Sequence, residues 1–167
     1  MQIARAQVED AALVHRIMQE AFAEYRGVLD PPSSAHDETV HDVAQAIQRG
    51  GALLVWDGAS PVASARFDPR TDHLYVGRVA VLPEHRRGGI AAAIMRRMAD
   101  IARDFGLPMV QVEVRDSLPS NVGLYARLGF EIVAVQPHPR GPDKTITMAL
   151  RLSQNDALSS GKEIGRC

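Results

Sequence analysis

Two short segments of this chain carry residues whose types and spacing could do chemistry. The first, Val79 to Ala92, reads Val-Ala-Val-Leu-Pro-Glu-His-Arg-Arg-Gly-Gly-Ile-Ala-Ala. A β-rich run ends at Pro83, a turn of arginines and glycines follows, and an apolar helical period begins at Gly89. The start of a helix presents unpaired N–H groups and the positive end of the helix dipole, which together attract anions. Gly88, Gly89, Ala91 and Ala92 are small enough to let a phosphate approach those N–H groups, and Arg86 and Arg87 add fixed positive charge. In the second segment Asn121 and Tyr125 are four residues apart and share one helix face, and Gly129 then stops the helix. A tyrosine hydroxyl, with an ordinary pKa of about 10, is a weak but competent proton donor.

These residues must be positioned by the elements around them. Met1 to Ala6 reads as a short strand, and Glu9 to Phe22 carries the apolar period of a helix. A Pro- and Gly-punctuated loop follows, and Asp37 can open a second helix whose stripe is Val40, Val43, Ala44 and Ile47. Ala52 to Asp57 and Pro61 to Asp68 read as a hairpin turning at Asp57–Gly58, and His73 to Leu82 as a strand with a bulge site at Gly77. The helix from Gly89 is expected to bury Ile90, Ile94, Met95, Met98, Ile101, Ala102 and Phe105. Met109 to Val114 alternates as a half-covered strand, Asn121 to Leu128 is helical, and Glu131 to Gln136 and Lys144 to Arg151 complete the sheet. Residues 1–152 thus form one α/β domain, and Ser153 to Cys167 is a polar tail, loose or borrowed by a partner.

The turn lacks the lysine of a Walker loop and the three spaced glycines of a dinucleotide fingerprint. It does match Arg/Gln-x-x-Gly-x-Gly/Ala through Arg86, Gly89 and Ala91, and in this it resembles the pyrophosphate-binding signature of the GNAT superfamily of N-acetyltransferases. Asn-x-x-x-Tyr-x-x-x-Gly-Phe, from Asn121 to Phe130, resembles the second coenzyme A motif of that superfamily, and the order of elements resembles its fold. The resemblance implies a mixed, mostly antiparallel sheet of six to seven strands with splayed central strands, flanked by about four helices.

It also implies a reaction, the transfer of an acetyl group from acetyl-CoA to a primary amine. The backbone of Val79, Ala80 and Val81 would pair with the pantetheine arm, and the turn from Arg86 through Arg87, Gly88, Gly89, Ile90, Ala91 and Ala92 would hold the pyrophosphate. Asn121 would help hold the cofactor arm, and Tyr125 would be the general acid to the departing thiolate. Many relatives carry a carboxylate base on the strand before the turn, but His73 to Leu82 contains none, its polar side chains being His73, Tyr75 and Arg78. Glu24, Glu113 and Asp116 are other candidates, and none is singled out. Acceptor contacts are expected from the Glu24–His36 loop, the second helix and the Pro137–Asp143 loop; Glu24, Tyr25 and Arg26 suit a cationic or aromatic group and Arg115 a carboxylate.

Composition bounds the alternatives. The formal charge of −1 and an aromatic content of 5% argue against a nucleic-acid surface, and the lack of an acidic patch argues against a highly cationic acceptor. The one cysteine, Cys167, excludes a disulfide framework, and six scattered histidines show no metal-ligand spacing, so no metal is expected. No leader pattern and no apolar run long enough to cross a bilayer is visible, so a cytoplasmic protein without membrane contact is the expectation. The acceptor is then a small-molecule or peptide amine, and a homodimer is compatible with the sequence. The competing reading is a catalytically silent acyl-CoA-binding module.

Overall fold

The computed structural model describes residues 1–153. Beyond Ser153, the tail expected from the sequence lies outside the described residues. The elements run β1 (Gln2–Arg5), α1 (Ala11–Phe22), α2 (Val40–Arg49), β2 (Gly51–Asp57), β3 (Ser60–Pro69), β4 (Leu74–Val81), α3 (Ile90–Asp104), β5 (Met109–Arg115), α4 (Pro119–Arg127), β6 (Glu131–Pro137) and β7 (Lys144–Arg151). One seven-stranded sheet has the order β1-β2-β3-β4-β5-β7-β6. Every neighbouring pair is antiparallel except β4 with β5. A parallel pair needs a crossover, and α3 supplies it. Its stripe of Ile90, Ile94, Met98 and Ile101 packs on one sheet face with Leu53, Phe67, Val110 and Val112, while α1 and α2 cover the other face around Val14, Ile17, Val43 and Leu54.

Two irregularities in β4 open the sheet. Ser64 pairs with Ala80 and Arg66 with Gly77, so Arg78 and Val79 together oppose Ala65 in a bulge. The bulge lies one residue beyond the glycine that marks it in the sequence, and Arg78 itself takes a φ of 50°. An inserted residue inverts the strand's alternation. Leu74 and Val76 face α3 before the bulge; after it Val79 and Val81 face α3, and Ala80 packs under α1. In addition, β4 pairs with β5 only from Leu74 to Val76, whereas β5 stays paired with β7 over its full length. The central strands are splayed, as the resemblance implied.

Three expectations are corrected. The second helix is opened by Thr39, not Asp37: the Thr39 hydroxyl accepts from Asp42 N at 3.1 Å and Asp42 accepts from Thr39 N at 2.9 Å, while Asp37 ends a separate 3-10 turn, Ser34–Asp37. Its Val40 is 41% exposed. The first helix starts at Ala11 because a 3-10 turn, Val8–Asp10, precedes it. Phe105 is 50% exposed, since it follows the last residue of α3, where the chain leaves the core. No helix among the described residues is long and apolar enough to cross a membrane. Removing the α2 cap by Thr39→Ala should cost about 1 kcal/mol, seen as a lower urea midpoint with an unchanged m value.

Candidate active site

The parting of β4 from β5 opens into a cleft of about 970 Å³. The N-terminal end of α3 stands at one end of it, and the turn before α3 is built for exposed N–H groups. After the 3-10 turn Pro83–His85, Arg87 takes a φ of 64° and Gly89 a φ of 80°. Left-handed backbone costs a non-glycine residue about 1 kcal/mol, so the turn is held in place by its surroundings. The first helical hydrogen bond runs from Ala93 N to Gly89 O at 3.0 Å. The N–H groups of Gly88 to Ala92 therefore find no backbone acceptor among the described residues. A Cβ on Gly89 would meet nothing within 4 Å, so the glycine is required by conformation, and the space before it is open.

Of the residues expected in the site, Val79, Val81, Arg86, Arg87, Gly89, Ile90, Ala91, Ala92, Asn121 and Tyr125 line this cleft. Ala80 is buried under α1, and Gly88 is exposed outside the lining. Arg86 does something its motif does not announce. Its guanidinium donates to Val81 O at 3.0 Å, to Ala21 O at 3.0 Å and to Glu24 Oε2 at 2.8 Å. It clamps the end of β4 to the end of α1, and in doing so it occupies Glu24. The clamp uses three of the five guanidinium N–H groups, and the side chain still lines the cleft.

All three tyrosines of the chain, Tyr25, Tyr75 and Tyr125, reach the same cleft. Tyr125 is held on α4 by an edge-to-face contact with Phe130, ring centroids 5.5 Å apart, and by burial against the α3-side core. Burial pushes its hydroxyl pKa far above the ordinary value, and the neighbouring Tyr25 and Tyr75 push it further. Tyr25 is also raised by burial, against the opposing effect of a hydrogen bond with Asn121. Tyr75 is raised by burial and then by the charge of Glu113. Of the three carboxylates weighed from the sequence, Glu24 is ion-paired and Asp116 lies outside the lining. Glu113 faces the cleft with no hydrogen bond or ion pair among the described residues.

Across the sheet from α3 lies a network the sequence did not reveal. Glu38 accepts from Arg66 Nη1 at 2.6 Å and Nη2 at 2.9 Å, and from Arg78 Nε at 2.9 Å and Nη2 at 2.8 Å. Arg78 Nη2 also donates to Ser34 Oγ at 2.9 Å. Burial alone would raise the Glu38 pKa, but hydrogen bonds from Arg66 and the charge of Arg78 outweigh it and hold the carboxyl below its usual range. A second pair, Arg115 with Asp143 at 3.3 Å, is 14% and 7% exposed, and Arg115 also donates to Pro32 O at 3.5 Å. Ser117 Oγ donates to Asp143 at 2.6 Å. The available signals were Arg66 within β3 and Arg78 within the largely apolar β4. Among the described residues no group of three or more His, Cys, Asp or Glu is placed to hold a metal.

A mostly antiparallel sheet parted at its single parallel pair, with a helix start of unpaired N–H groups at the parting, makes a cleft suited to an extended anionic ligand. The sequence profile of the acetyltransferase (GNAT) family matches residues 13–130, and the chain belongs to that family. Ribosomal protein bS18-alanine N-acetyltransferase of Escherichia coli K12 is 29% identical over 86 residues, which are 49% of this chain and 58% of that enzyme. The match thus spans little more than half the length of this curated relative. The crystal structure of the Escherichia coli ribosomal-protein-alanine N-acetyltransferase superposes with a TM-score of 0.73 at 21% identity, covering 99% of both chains. An aminoglycoside 6'-N-acetyltransferase complexed with coenzyme A gives 0.71 at 14% identity, covering 90% of this chain and 97% of that one. A Salmonella typhimurium protein crystallised with acetyl-CoA gives 0.68 at 19% identity, covering 92% and 94%. At these identities the likeness establishes the fold. Acetyl-CoA is the family's acyl donor, and the unpaired N–H groups, the open space before Gly89 and the stretch of β4 not paired with β5 fit it.

The network carries its own prediction. Glu38→Ala leaves two part-buried guanidiniums facing each other and should cost about 2–3 kcal/mol, somewhat less than the loss of one partner of a fully buried pair. Because the Glu38 pKa is lowered by folding, its contribution is present above the unfolded carboxylate pKa and is lost as pH falls through the folded value. Urea titrations of wild type and Glu38→Ala at neutral and acid pH should therefore converge at acid pH.

Proposed function

We propose that this chain transfers the acetyl group of acetyl-CoA to a primary amine by direct attack, with the Tyr125 hydroxyl donating a hydrogen bond to the departing thiolate. The observation that carries this reading is the parting of β4 from β5, which brings unpaired strand backbone, an anion-accepting helix start and the Tyr125 hydroxyl into one cleft. Acetyl-CoA supplies the activated acetyl group and leaves as the thiol. The N–H groups from Gly88 to Ala92, with Arg87, hold its pyrophosphate; the backbone of Val79 to Val81 pairs with the pantetheine amides; Asn121 steadies the arm. The amine enters from the opposite sheet face, a C–N bond forms as the C–S bond breaks, and Glu113 takes the proton the amine sheds, directly or through water.

The raised pKa of Tyr125 keeps its hydroxyl protonated across the neutral range. Its partner, a thiolate whose acid has a pKa of about 8.5 if it behaves as an ordinary thiol, is the weaker base. Tyr125 therefore stabilises the thiolate chiefly by donating a hydrogen bond, and the proton is made good from solvent as the thiol leaves.

Thermal unfolding with and without acetyl-CoA tests the donor site. At a hundredfold excess over Kd a ligand bound only to the folded state adds about 2.7 kcal/mol, a rise of about 5–10 °C for a domain of this size. Arg87→Glu combined with Gly89→Asp should abolish the rise. Tyr125→Phe should keep it and lower kcat about a hundredfold, the low end for a positioned acid. Acetyl-CoA binding without turnover of any amine would instead identify a silent acyl-CoA-binding module.

A further inference from the structure

We infer that the acceptor is a small amine carrying an anionic group, held by arginines on the sheet face opposite α3. The inference rests on the acetyl-transfer reading and adds to it a class of substrate. Nine arginines and only three carboxylates line the cleft. Some belong to the donor end: Arg86 is neutralised by Glu24, and Arg87 sits at the helix start. Others lie elsewhere. Along β3, Ala63, Ala65 and Phe67 pack in the α3-side cluster, so Arg66 points to the other face. Along β5, Val112 and Val114 face α3, which puts Glu113 and Arg115 on that same opposite face. Arg140, in the loop between β6 and β7, completes the lining there and has no side-chain partner among the described residues.

These guanidiniums are not free surface charges that happen to gather. Arg66 and Arg78 share the single carboxylate Glu38, which leaves the cluster with one net positive charge. Arg78 also carries strained backbone, at a φ of 50° in the bulge, and its side chain is anchored at Glu38 and Ser34. Arg115 is fixed by Asp143 and by Pro32 O. A guanidinium held in place loses little entropy on binding and offers a planar fork that matches a carboxylate or phosphate. Against this cationic wall stands one carboxylate without an ion pair, Glu113. A face with one anion among several oriented cations fits a molecule with an amine at one end and an anion at the other. It repels polyamines and other polycationic acceptors.

The test is a panel of acceptors assayed for thiol release from acetyl-CoA: L-glutamate, glucosamine 6-phosphate, a C-terminally amidated alanyl peptide and spermidine. Acetyl-CoA binding is followed separately by thermal shift. The expected result is that L-glutamate or glucosamine 6-phosphate has the highest kcat/KM, and which of the two leads tells carboxylate from phosphate recognition. Arg140→Ala, at an exposed position whose side chain has no partner among the described residues, should raise KM for the leading anionic amine about tenfold to a hundredfold with kcat little changed, and Arg140→Lys should recover part of the loss. Arg78→Ala should do the same where it folds, and KM should rise with ionic strength. Spermidine or the alanyl peptide leading the panel, an Arg140→Ala variant with unchanged KM, or an absence of turnover with both anionic amines while acetyl-CoA still shifts the melting point would each overturn the anionic-acceptor inference and leave the donor site standing. Loss of the acetyl-CoA shift itself would bring down the underlying reading.

Discussion

Hydrogen bonds that β4 does not make with β5 govern most of what this molecule can do. A strand inside a sheet ordinarily satisfies both its edges, because an unpaired N–H or C=O that is also shielded from water costs free energy. Here β4 leaves β5 after Val76, while β5 remains joined to β7. Two guanidiniums anchor β4 away from β5. Arg78, in the bulge, is drawn toward Glu38 on the far face, and Arg86, beyond the strand's end, is tied to Ala21 and Glu24 at the end of α1. An extended, amide-rich ligand arm is the kind of partner that completes such an edge.

The same parting sets the electrostatics. Tyr125 sits where burial raises its hydroxyl pKa and keeps the group protonated. Glu38 and Asp143 do the reverse work: against burial, Arg66 and Arg78 hold the Glu38 carboxyl low, and hydrogen bonds from Ser117, the Lys144 N–H and Arg115 hold Asp143 low, and each pairs with an arginine at the edge of the cleft. Neutral donor and fixed cations thus lie on opposite sides of one opening in the sheet.

The parts legible in the sequence are those set by local chemistry. Gly89 followed by an apolar period announces a helix start, and Asn121 and Tyr125, one turn apart, announce a shared face; both stand as read. The bulge was legible only to within a residue, because Gly77 is the residue with conformational freedom while Arg78 is the one whose side chain has a distant anchor. The start of α2 went to Thr39 over Asp37 because only Thr39 has a reciprocal partner three residues on. Arg86 was picked out by its motif, yet its clamp reaches residues 62 and 65 positions away. Glu38, Arg66 and Arg78 meet across 28 and 40 positions. Such contacts leave no periodic trace in a single chain.

The chain as a whole is almost neutral, with 19 lysines and arginines against 20 aspartates and glutamates. Nine of those cations and three of those anions sit on the wall of one cleft, so the rest of the chain is acidic in excess. The cleft wall is therefore a local positive patch on a nearly neutral chain. An anionic ligand feels that patch only when it comes close to it. At physiological ionic strength the field extends only about 8 Å, so it acts as a funnel over the last approach rather than as a long-range lure.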